Sequence, residues 1–201
     1  DEALPPDLRP RLSAAADRVG LSGAALQRMQ PWMVATLLTL RAAHSAGFGT
    51  DQGVDLWLAR TARARGLPLV ALESVDRQIE ALAAGGDAAQ LASLVEVVEL
   101  IEQGAAPAYF AGMLAAWRGG DAAAIDRIVR EESASPAMAP LLADLLDARN
   151  REMADAIVAR LQPGRRVFVA VGAGHFGGDA GLLAALSGRG FTLRQVEAKD
   201  D

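Results

Sequence analysis

The run Val167-Phe168-Val169-Ala170-Val171, closed by Gly172-Ala173-Gly174, narrows the folds open to this chain more than any other stretch. Five consecutive apolar residues ask for burial on both faces, which a strand inside a parallel sheet provides. The chain then turns through glycines into a helical stretch from about Asp179 to Gly188, and residues 192–196 read as another strand. Strand, turn, helix and strand in that order make a βαβ unit. Residues 67–72, apolar and preceded by a turn, are the remaining strand candidate.

The rest reads as helix. Alanine is abundant and Lys199 is the only lysine among 20 basic residues, so Ala and Arg, both good helix formers, dominate. Helices are expected over 7–19, after a Ser22 cap, and over 31–45 with Pro31 in its first turn. Another covers 53–65, capped by Thr50 or Asp51 and stopped by Gly66. A long one over 75–103 breaks near Gly85 and Gly86; 105–118 and 121–132 flank the Gly119-Gly120 turn, and Pro140 starts one ending near Leu161. The expected class is α/β: a small, mostly parallel sheet with a large helical insertion, helix-rich overall, as a single domain over 1–201. So thin a sheet implies either further strands or strands outside this chain.

Composition removes several functions. A net charge of −5, with no basic stripe, excludes nucleic acid as a default partner and disfavours anionic membrane. There is no cysteine, hence no disulfide, thiolate ligand, Fe–S cluster or cysteine nucleophile. The longest apolar stretches, such as 33–40, fall short of the roughly 20 residues of a spanning helix, so no transmembrane segment is expected in this chain. Only His44 and His175 are present, so one chain cannot supply three histidines.

Polar residues that interrupt apolar patterns mark the candidate site. Glu73 follows one strand candidate and His175 another, both where open α/β sheets place ligands. A surface carboxylate capping the next helix, and an ordinary turn histidine, are the plain alternatives. Arg149 falls on the apolar stripe Leu142, Leu145, Leu146, Met153. A buried guanidinium needs a carboxylate or an anionic ligand, and Glu73 is the natural carboxylate; the alternative is a stem packed at the core edge with its head in water. Asn150 points about 100° away and is unremarkable by itself. His44 reads as a core-edge histidine favoured by a helix C-terminus, Asp55 as a first-turn carboxylate, and Trp32, Trp57 and Trp117 as packing. Residues 172–177 also satisfy G-x-G-x-x-G, with Glu197 about twenty residues on, the pattern of a dinucleotide site. Such a unit normally opens a fold, whereas this one closes it.

Several short elements recur together. Pro31-Trp32 opens a helix; Gly53-Val54-Asp55, Leu72-Glu73 with Gln78, Trp117 with Gly120-Asp121, and Arg149-Asn150 follow in order. Val171-Gly172-Ala173-Gly174-His175 comes next, then Gly178, Gly181-Leu182-Leu183 and Gly190. In that order and spacing the chain resembles, over nearly its whole length, the TraB/PrgY/GumN family of bacterial proteins, related to the Tiki proteases of animals.

The resemblance implies an α/β fold and, through the Tiki branch, metal-dependent hydrolysis of a peptide or amide bond using two Gly-x-x-His histidines. By that analogy His175 is a metal ligand or polar catalytic group, Glu73 a ligand or base, and Arg149 a stabiliser of an anion or transition state. Asp55, Asn150 and Gly172 are supporting residues, and the implied cofactor is a divalent metal ion. The family's opening strand with its own Gly-x-x-His is not matched, since Arg41 stands three positions before His44. The chain is therefore expected to be N-terminally truncated and, with an open sheet edge, to form a homo-oligomer or strand-swapped dimer. An extracytoplasmic address is the one the resemblance favours. The other readings are a non-catalytic peptide-binding or regulatory module of the same fold, and a dinucleotide binder.

Overall fold

A computed structural model describes residues 4–49, 53–132 and 135–196, with the side chains of 131 and 132 left aside. Its helices, in order, are α1 (Leu8–Arg18), α2 (Gly23–Leu26), α3 (Pro31–Ser45), α4 (Val54–Ala64), α5 (Val75–Leu82) and α6 (Gly86–Glu102). They continue with α7 (Ala106–Arg118), α8 (Ala122–Arg127), α9 (Ala139–Leu142), α10 (Arg149–Val158) and α11 (Leu182–Ser187). Wide turns over Ala143–Ala148 join α9 to α10. No single helix among the described residues is long and apolar enough to cross a membrane.

The main core lies where α1 and α3 pack on α6. Leu12, Val34, Leu38, Leu94 and Val98 are fully buried there, at helical spacing on each element. Alanines 15, 16, 35 and 42 lie in the same core and let the helix axes approach closely. At its edge Arg11 Nη2 reaches Glu102 Oε2 at 2.7 Å, tying α1 to the end of α6. The expected break falls at Gly85, whose φ of +80° favours glycine. There α5 and α6 meet at 82°. A Cβ on Gly85 would stand 2.9 Å from the Leu141 nitrogen, so the bend also brings α9 close.

The α/β expectation is overturned. Among the described residues there is no strand and no sheet, so neither the parallel sheet nor the βαβ unit forms. Residues 67–72, 167–171 and 192–196 form no helix or strand and make no ladder with one another. A strand is defined by its partner, and these helices satisfy their apolar stripes on each other rather than on a sheet. The five-residue run is partly buried on one face only: Val169 and Val171 pack towards Met153, Ala154, Ile157 and Leu182, while Phe168 is 79 % exposed. The stretch 67–70 is exposed throughout. The last helix begins at Leu182, not Asp179. The Thr50 and Asp51 caps, Glu197 and Lys199 lie outside the described residues.

Candidate functional site

Two adjacent residues of α10 organise the site. Arg149 and Asn150 are both buried, 6 % and 0 % exposed, which α10 achieves by packing on α11 and on the turns before it. Arg149 grips Glu73 with two parallel bonds, Nε to Oε2 at 2.8 Å and Nη2 to Oε1 at 2.5 Å. Its Nη1 donates to the Leu145 carbonyl at 2.8 Å. This bidentate geometry matches fork to carboxylate and anchors the irregular segment before α5 onto α10. Glu73 is not the cap of α5. Ser74 is, its hydroxyl accepting from the Arg77 amide at 3.1 Å.

Asn150 reaches the other way. Its Nδ2 donates to the Ala180 carbonyl at 2.9 Å, which fixes the direction of the amide. The opposite atom, Oδ1, lies 2.7 Å from His175 Nδ1. An amide oxygen only accepts, so Nδ1 carries the proton and the Nε2 lone pair is left as the reactive end of the ring. His175 closes the single 3-10 turn Ala173–His175, whose amide donates to the Gly172 carbonyl at 3.0 Å.

The charges reinforce this arrangement. Burial, with help from the Arg149 charge and against Glu73, pushes the His175 imidazolium below its ordinary value. The imidazole is therefore neutral at neutral pH. The Arg149 hydrogen bonds hold the Glu73 carboxyl below the usual carboxylate range, against the effect of burial.

The expected residues separate clearly. Glu73, Arg149, Asn150, Gly172 and His175 come together, whereas Asp55 lies exposed on α4, a helix with no buried residue. His44 is exposed in the last turn of α3 rather than set in the core edge. Trp57 and Trp117 are 62 % and 49 % exposed and so are not packing residues. The weight of Asn150 was missed on the arginine's stripe, but Leu146, Asn150, Met153 and Ile157 form a second stripe at helical spacing. An amide on a wholly apolar stripe is a buried polar group that needs partners.

Beside the His175 turn opens an apolar pocket of about 310 Å³ between α7, α8 and Ala173-Gly174. Sequence reasoning did not foresee it, since its walls come from segments far apart in the chain.

The dinucleotide pattern has a packing explanation at its third glycine. A Cβ on Gly177 would stand 2.2 Å from the Ala122 carbonyl oxygen, so that glycine is needed for contact with α8. The helix after the turn is only the six-residue α11.

The residues leave a divalent metal ion few free donors, with His175 Nε2 the ring nitrogen still open. Both Glu73 oxygens accept from Arg149, and His175 Nδ1 is engaged by Asn150. Among the described residues no group of three or more His, Asp or Glu is close enough to hold an ion.

The sequence model of the TraB/PrgY/gumN family matches residues 1–195. A search among curated proteins and another among solved structures each found no match. With nearly the whole length matched, the chain belongs to the TraB/PrgY/gumN family.

Proposed function

We propose that the domain hydrolyses a peptide or related amide bond, with His175 Nε2 taking the proton of the attacking water. The observation that carries this reading is the relay from Ala180 through fully buried Asn150 to His175, which leaves a neutral imidazole with Nε2 unprotonated. The water oxygen bonds to the carbonyl carbon as its proton passes to Nε2. The C–N bond then breaks, and the proton moves from Nε2 to the departing amine nitrogen. Burial, helped by the Arg149 charge, keeps His175 in the basic form, and the Arg149 N–H groups not used on Glu73 and Leu145 would donate to a developing oxyanion. Metal assistance is not built into this reading, because no group of three or more His, Asp or Glu stands together among the described residues.

The test is incubation of the protein with a mixed peptide library, read by mass spectrometry. Cleavage by the wild type that disappears in His175→Ala is expected. Intact peptides after long incubation, or an unchanged rate in His175→Ala, would overturn the proposal. One observation favours the alternative, a non-catalytic peptide-binding or regulatory module: the pocket beside the site is lined by apolar residues alone.

A further inference from the structure

Resting on the hydrolytic reading of His175, we propose that this pocket is the subsite for a large apolar side chain of the substrate, adjacent to the scissile bond. Phe110, Met113 and Trp117 line it from one face of α7, at helical spacing. Phe48, after α3, packs its ring against Phe110 at 5.7 Å and forms a further wall. The remaining wall is Ala173-Gly174, the two residues that precede His175 in its turn. A side chain seated here would lie against the turn that ends in His175.

The energetics of α7 point the same way. The helix is rich in large apolar residues, yet only Ala106 is buried. Phe110 also packs against the main core, and Met113 and Trp117 continue that face into the pocket. An aromatic as exposed as Trp117 at the mouth gains by being covered. At about 310 Å³ the space lies at the lower end of ligand sites, which run roughly 300–1,000 Å³. That suits one aromatic or branched aliphatic side chain, and a dinucleotide is too large. No lining residue is charged, so an anionic group would find no partner there. A Cβ on Gly174 would meet nothing within 4 Å, which leaves that wall open to close approach by a substrate backbone.

The test combines binding with turnover. Trp117 fluorescence is followed during titration with N-acetyl-phenylalaninamide and with N-acetyl-glycinamide, using Trp117→Phe to subtract the other tryptophans. Peptides differing only in Phe or Gly beside the cleaved bond are compared by kcat/KM. The Phe amide is expected to give a saturable Trp117 signal and the Gly amide none. The Phe peptide is expected to be cleaved at least roughly tenfold better. Ala173→Leu, and independently Met113→Phe, fill the space and should collapse both preferences, with circular dichroism confirming the fold. Equal responses to the two amides, or a preference that survives both filling variants in folded protein, would overturn the subsite. Selective binding without cleavage leaves the subsite standing and removes the hydrolytic reading; cleavage without preference does the reverse.

Discussion

Asn150 Oδ1 lies 2.7 Å from His175 Nδ1 while the same amide donates to the Ala180 carbonyl at 2.9 Å. One fully buried side chain thus fixes the orientation and tautomer of the imidazole. Asn150→Ala leaves two polar groups without partners, and each costs about 1–3 kcal/mol when buried. Loss of stability in thermal denaturation is expected, together with a fall in kcat of roughly 10- to 100-fold, as for partners that orient a functional histidine. Asn150→Asp should keep the ring in place but favour the imidazolium, moving the acid limb of the pH profile upward. A mere packing role would not move that limb.

The position of His175 on the pH scale follows from burial and from the charge of Arg149. Both push it below its ordinary value near 6.5. Activity that needs the neutral base should rise with pH, with the midpoint of the rise below the ordinary histidine value. Arg149→Gln removes a cation and should shift the limb upward, which a kcat/KM profile would reveal. The stability effect has the same direction. Below pH 6.5 the unfolded chain binds a proton at this residue that the folded protein resists, so stability falls as pH drops towards the folded value.

Glu73 and Arg149 hold an exposed segment against α10 by their paired hydrogen bonds. Glu73→Ala leaves a buried guanidinium unpaired and should cost about 3 kcal/mol, the low end for a broken buried pair, because the Glu73 side chain retains 21 % exposure. Glu73→Gln keeps the shape and should cost less. The Glu73 carboxyl is held below its ordinary value near 4.5. Its contribution is therefore present above that pH and lost as pH falls through the folded value. Urea denaturation of both variants at neutral and acid pH checks magnitude and sign together.

Much of this site was legible because its residues violate local patterns. An arginine on an apolar stripe needs a carboxylate, and Glu73 was a specific candidate for that partner. The helices 31–45 and 75–103, with their break, were readable from Pro31, Gly85 and helical periodicity. The sheet was misread for a definite reason. Apolar runs such as 167–171 record a liking for extended backbone and burial, but pairing depends on where other segments lie. Here Val169 and Val171 find α10 and α11 instead of neighbouring strands. The pocket was hidden for a similar reason, since Phe48, Trp117 and Gly174 share no local spacing.

Exposed apolar segments without ladders carry an association risk. Val70 is 61 % and Phe168 79 % exposed, on segments that make no ladder among the described residues. Exposed apolar chain that pairs with no strand of its own is open to pairing with another chain. A concentration-dependent dimer is expected in sedimentation velocity, weakened when Val70→Lys and Phe168→Lys are combined. A single monomer boundary at every concentration would refute this.

Gly177 brings the His175 turn into close contact with α8. A Cβ there would stand 2.2 Å from the Ala122 carbonyl oxygen and 2.7 Å from Asp126 Cβ. The first of these is backbone, so no side-chain rotation relieves the clash. Asp126 is itself held by Arg130 Nε at 2.7 Å, which stiffens the surface being struck. Gly177→Ala must therefore push the turn away from α8, at a cost of about 1–3 kcal/mol or more, as for overpacking. The displaced turn carries His175 two residues earlier, so the Asn150 contact lengthens and activity falls with stability. Gly174→Ala is the matched control: its Cβ meets nothing within 4 Å, and its melting temperature should stay close to wild type. If thermal denaturation ranks the two variants equally, the tight contact between turn and α8 is not what holds His175 in place.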